Sequence, residues 1–151
     1  MGLEQYKGDM EMCHRCSACK FVPMQQVSGL EYANVCPSVA RYDFHSYSGG
    51  GRLNIGAAAL KKGVNYTPRL LDIVYNCQLC GACGVSCNYA MDMEVLQPIS
   101  EFRMQCVKDG KTHPALDRMI AWNVTPVSDP SRAAIAHEIA VRPMTMSRGT
   151  F

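Results

Sequence analysis

The chain has 151 residues, of which 19% are charged, a formal net charge of +2 and nine cysteines. That length suits a single domain with a modest core, and so balanced a charge offers no basic surface for nucleic acid. Its uncharged apolar stretches are too short to span a bilayer, so direct membrane insertion is excluded as an expectation.

In chain order, Met1 to Met12 is polar and carries Glu4, Lys7, Asp9 and Glu11, without the apolar segment of a secretion signal. The expected location is the cytoplasm, with any membrane association coming through a partner. Thiols stay reduced there, and clustered cysteines usually hold metal. The first cysteine run follows, Cys13-x2-Cys16-x2-Cys19, and then Cys36-Pro37. Ser48-Gly49-Gly50-Gly51 reads as a flexible breaker. Arg52 to Lys62 reads as a helix with Leu53, Gly56, Ala57 and Leu60 on one face and Gly63 as its stop. Thr67 is a good N-cap and Pro68 suits the first helical position. Leu70, Leu71, Val74 and Tyr75 line that helix, which leads into the second run, Cys77-x2-Cys80-x2-Cys83-x3-Cys87.

Asp92 is expected to cap a helix reaching Lys108 and ending at Asp109-Gly110, with Pro98 forcing a late start or a kink. Thr112 caps a further helix with His113 and Pro114 in its first turn and Leu116, Met119 and Ile120 as apolar contacts. Asp129-Pro130 opens a last helix to about Ala140, and Pro143 to Phe151 reads as an extended tail. No segment alternates apolar and polar residues for long, and no hairpin turn joins two β-rich runs. The expected fold class is all-α. Residues 1–125 form the domain that carries both cysteine runs. Residues 126–151 add a C-terminal helix and tail for docking a partner.

Nine cysteines point to disulfides, zinc or iron–sulfur clusters. Disulfides conflict with the expected compartment. Zinc prefers separated pairs and four ligands in all, and leaves the third cysteine of each triad without a role. A 4Fe-4S cube presents four iron corners, and three cysteines spaced by two residues wrap three of them. The fourth ligand comes from elsewhere. In the bacterial two-cluster pattern it comes from the other run. On that pattern Cys13, Cys16, Cys19 and Cys87 hold one 4Fe-4S cluster, and Cys77, Cys80, Cys83 and Cys36 hold the second. Pro37 matches the usual Cys-Pro at the remote position, whereas Cys87 is followed by Asn88. Eight thiolates and two oxidised cores turn the formal +2 into about −2.

Cys106 is left over in the middle of a helix and reads as a small buried hydrophobe. His14, inside the first run, is either a donor to a cluster sulfur or a surface residue of the loop. His45, His113 and His137 show no metal spacing. Ser48-Gly49-Gly50-Gly51-Arg52 lacks the ending of a phosphate loop and no β-run precedes it. Close packing near a cluster, or a plain linker, is the better reading. No catalytic serine–histidine–acid set or carboxylate pair can be argued.

CHRCSACK, the NVCPS segment, FHSYSGGGR and LLDIVYNCQLCGACGVSCN together resemble the iron–sulfur module of heterodisulfide reductase-like proteins. That module is the C-type subunit or the N-terminal half of the D-type subunit, with related modules in benzoyl-CoA reductase complexes. The similar stretch covers roughly Met12 to Ile120. The resemblance implies an α-helical ferredoxin fold, two 4Fe-4S clusters and a place in a multi-subunit anaerobic oxidoreductase. The partners it implies are a flavin- or cluster-containing donor and a catalytic acceptor subunit. D-type subunits continue into cysteine-rich catalytic domains with adjacent cysteines. This sequence has no Cys-Cys pair and no cysteine after Cys106. The reading is an electron relay, either as a stand-alone subunit or as the N-terminal part of a longer catalytic one. A structural zinc module is the remaining alternative.

Overall fold

The computed structural model describes residues 2–21, 28, 33–124, 126, 128, 129, 131 and 134. The described residues are helical apart from loops and one isolated antiparallel bridge, Phe21 with Asn34. A 3-10 turn, Leu3–Tyr6, leads into α1 (Lys7–Met12). Then come α2 (Pro37–Tyr42), a 3-10 turn at His45–Tyr47, α3 (Gly49–Lys62), α4 (Pro68–Tyr75), α5 (Ala82–Met91), α6 (Leu96–Lys108) and α7 (Pro114–Val124). The all-α expectation holds. None of these helices is long and apolar enough to cross a membrane.

The chain divides into two compact units, Met1–Lys111 and Thr112–Phe151. In the first, α3 is the central strut, packed by α1, the His45–Tyr47 turn and α6. Leu3, Met10, Leu53, Val74, Met93, Val95, Ile99, Phe102 and Cys106 form one buried cluster. Full burial of a Leu, Val or Phe side chain contributes about 1.5–3 kcal/mol, so this small core holds the helices at fixed angles. Cys106 is fully buried among these side chains, as its reading as a small hydrophobe requires.

Local signals explain several helix ends. Thr67 Oγ1 accepts the Leu70 N–H at 3.2 Å with Pro68 in the first turn, so α4 begins where the sequence places it. Lys61 and Lys62 occupy the last turn of α3, and Gly63 leaves it at φ +75°.

Other expectations need correction. Ser48 to Gly51 is not a flexible breaker: the three glycines are the first turn of α3, and Ser48 is its N-cap. Ser48 Oγ accepts the Gly51 N–H at 3.0 Å and donates to the His45 carbonyl at 2.7 Å. Asp92 does not cap α6. It ends α5 in the left-handed region at φ +49°, which Asp tolerates better than most residues. α6 starts late, at Leu96, so Pro98 falls in its first turn, where it removes no intrahelical bond.

In the second unit, Thr112 does not cap α7. The Ala115 N–H bonds instead to His113 Nδ1 at 3.2 Å, and Thr112 Oγ1 donates to Asp117. Leu116, Met119 and Ile120, expected as contacts, are exposed. Asp129 accepts the Ser131 N–H at 2.8 Å as an N-cap does, but most of the helix expected there and the tail from Pro143 lie outside the described residues.

Candidate metal centre

The two cysteine runs share one backbone design. Arg15 and Leu79, at matching places in the two C-x2-C loops, have φ +56° and +53°. Ser17 and Gly81, each just after the second cysteine, have φ +72° and +77°. Two left-handed residues in close succession curl each loop tightly. The sequences around the runs show no such likeness.

Hydrogen bonds then draw the remote Cys36 in. The Lys20 carbonyl accepts the Val35 and Cys36 N–H groups at 2.8 and 3.4 Å, which sets Cys36 beside the end of the first run. From α2, Ser38 Oγ donates to the Asn76 carbonyl at 2.5 Å and Tyr42 donates to Asn76 Oδ1 at 3.2 Å. Asn76 precedes Cys77, so these bonds tie Cys36 to the second run. From α6, Arg103 Nη2 donates to the carbonyls of Tyr75 and Cys77 at 2.7 and 2.8 Å.

Cys36, Cys77, Cys80 and Cys83 line one cavity, together with Gly49, Arg52, Leu96 and Ile99. The Cys83 thiol is pushed up to about 12, first by burial and then by the sulfurs of Cys77, Cys19, Cys36 and Cys80. Cys87, one turn further along α5, is pushed up to about 11, first by burial and then by Cys19, Cys16 and Cys13. Both shifts oppose ionisation of Cys83 and Cys87 unless a cation lies near them. Cys16 and Cys80 are exposed, while Cys19 and Cys87 are buried. His14 is also exposed.

The N-terminus of α3 separates the two groups. A Cβ on Gly49 would stand 2.8 Å from Cys83 Cβ and 3.0 Å from its Sγ. One on Gly50 would stand 3.2 and 3.5 Å from the Sγ atoms of Cys13 and Cys19. Only glycine lets this turn lie against sulfur on both sides. The Gly50 N–H donates to Cys19 Sγ at 3.3 Å, and the Leu79 N–H to Cys77 Sγ at 3.4 Å. Asn54 Nδ2 lies 3.9 Å from Cys13 Sγ. Free amides and the positive end of a helix dipole favour anions, and a cluster with four thiolates is one.

Beside Gly50, the His45 imidazole is pushed below its usual range, first by burial and then by the charges of Lys20 and Arg15. Its Nε2 is buried with no partner. Close packing near a cluster, one of the two readings of Ser48 to Arg52, is what the glycine turn shows, whereas sequence reasoning missed His45 and the burial of Arg52. The available signal was a triple glycine followed at once by arginine, between two cysteine runs.

The donor set fits a 4Fe-4S group. Cys36, Cys77, Cys80 and Cys83 stand around one open space, Cys13 and Cys19 lie against Gly50, and amide donors face sulfur in both runs. A lone zinc ion needs its thiolates about 2.3 Å from one point. Among the described residues, no three His, Cys, Asp or Glu side chains are gathered closely enough to hold a single ion.

A family model described as the 4Fe-4S dicluster domain matches residues 9–91, more than half of the chain and all eight cysteines of the two runs. No curated protein and no solved structure matches. The likeness of the two loops, the glycine cradle between them and this match lead to one conclusion. The chain belongs to the 4Fe-4S dicluster domain family, an iron–sulfur electron-transfer protein with two 4Fe-4S clusters.

Proposed function

We propose that the chain is the relay subunit of a multi-subunit anaerobic oxidoreductase of the heterodisulfide reductase-like type, working in the cytoplasm. In this reading Cys13, Cys16, Cys19 and Cys87 hold the first cluster, and Cys36, Cys77, Cys80 and Cys83 hold the second. The clusters supply one-electron storage, one electron at a time each. The protein supplies their burial, the amides that face sulfur and their separation by one turn of helix.

The observation that carries the reading is the position of Gly49 and Gly50, one against Cys83 and the other against Cys13 and Cys19. Clusters held by these cysteines on the two sides of the turn would be able to exchange an electron within the protein. The exposed cysteines, Cys16 in the first set and Cys80 in the second, support an entry at one cluster and an exit at the other. A flavin- or cluster-containing donor faces one and a catalytic acceptor subunit faces the other.

Anaerobic purification with whatever subunits bind tests this reading. The isolated chain accepts electrons but turns over no substrate, and the assembled complex transfers them to one. An isolated chain that reduces a substrate unaided contradicts it.

A further inference from the structure

A cation stands beside the thiols of the second cavity. Arg52 is only 4% exposed. Its Nε donates to the Ile73 carbonyl at 2.9 Å and its Nη1 to the Tyr47 carbonyl, while Nη2 is buried with no partner. The same Tyr47 carbonyl lies 3.6 Å from Cys36 Sγ, so guanidinium and sulfur flank one oxygen. Arg52 also lines the cavity together with Cys36, Cys77, Cys80 and Cys83. The ion pairs among the described residues are Lys61 with Glu11 and Arg69 with Asp72, and neither includes Arg52.

A guanidinium cannot shed its proton in a protein, and a buried charge is costly unless an opposite charge lies near. Both hydrogen-bond partners of Arg52 are neutral carbonyls. Four thiolates around an oxidised 4Fe-4S core carry about −2, which is the missing counter-charge. Near the first set, Arg15 and Lys20 bear on His45, but Arg15 is exposed and Lys20 is half-exposed, so water and salt screen them. A cation fixed in a dry interior acts more strongly on an added electron than a solvated one.

We propose that Arg52 is the buried counter-charge of the Cys36/Cys77/Cys80/Cys83 cluster and makes it the higher-potential member of the pair. This rests on the ligand sets proposed above. One electron from an outside donor lowers the charge of that core by one and rests there until an acceptor removes it. No proton and no bond are exchanged.

The test is a redox titration followed by electron paramagnetic resonance, with dithionite as the reductant. The Cys80→Ser and Cys36→Ser variants identify the second cluster's signal, because each perturbs it. In the wild-type protein that signal develops first on reduction. Arg52→Gln moves its midpoint to more negative potential and leaves the other in place, and Arg52→Lys restores most of the shift. An unmoved midpoint in Arg52→Gln overturns the proposal. So does an equal shift in the Gln and Lys variants, since both lose the bonds to Tyr47 and Ile73.

If Arg52→Gln does not retain iron, redox-difference infrared spectra of Arg103→Lys protein with guanidine-labelled arginine decide the matter, since Arg103 also lies against Cys77. A guanidinium band that shifts as the second cluster takes its electron supports the role, and unchanged bands overturn it. If Cys80→Ser and Cys36→Ser perturb different signals, the ligand sets themselves fail, and the proposal fails with them.

Discussion

At Gly49 a hydrogen stands where any other residue would put a carbon 2.8 Å from Cys83 Cβ. That neighbour belongs to a short side chain close to the backbone, so α3 or α5 must shift to admit a methyl group. Overpacking of this kind costs about 1–3 kcal/mol. Gly49→Ala is therefore expected to lower iron content by weakening the second cluster before the first, as measured by iron analysis with electron paramagnetic resonance. Gly50→Ala, with its closest contact at 3.2 Å to Cys13 Sγ, should do the milder harm and do it to the first cluster. Ser17 tells the opposite story. It holds φ +72° where its counterpart in the second run is Gly81, and a non-glycine residue in that region is strained. Ser17→Gly should stabilise the folded protein by about 0.5–1 kcal/mol, read from anaerobic urea unfolding.

At the scale of elements, α3 depends on its first turn. Three consecutive glycines cost about 1 kcal/mol each in helix propensity, so the sequence alone argues for a loop there. Ser48 and the sulfur contacts override that preference. Its side chain is wholly buried, caps Gly51 and donates back to His45. Ser48→Ala should cost about 1–2 kcal/mol and loosen the sulfur contacts of both Gly49 and Gly50, measured by unfolding and by the rate of cluster loss to a chelator.

Much of the architecture was legible without coordinates. Thr67-Pro68 marks a helix start by the chemistry of capping, and Pro98 forces α6 to begin late. The cofactor follows from cysteine spacing, because a cube needs three ligands from a tight loop and one from afar. Other features were hidden. Pro37 reads as the proline of a remote Cys-Pro, which does not reveal that it is the first residue of α2. α5 lies inside the cysteine run itself, where ligand spacing masks any helical periodicity. Arg52 reads only as the start of a helix beside a packed or linking segment, because nothing local reveals that tertiary packing buries its charge.

For the molecule as a whole, the two clusters act as cross-links between distant segments. In the proposed sets Cys87 of α5 reaches back to the loop after α1, and Cys36 before α2 reaches forward to the loop after α4. Each cluster then closes a long stretch of chain, and stability and iron binding become linked. This coupling depends on the exchange of Cys36 and Cys87 between the runs, the claim on which the rest of the account depends. Iron content of the double variant Cys16→Ala/Cys87→Ala tests it most directly. If both cysteines serve one cluster, the variant keeps about four irons per chain of the wild type's roughly eight. If Cys87 instead serves its own run, the variant loses both clusters and retains almost none, and the account is wrong.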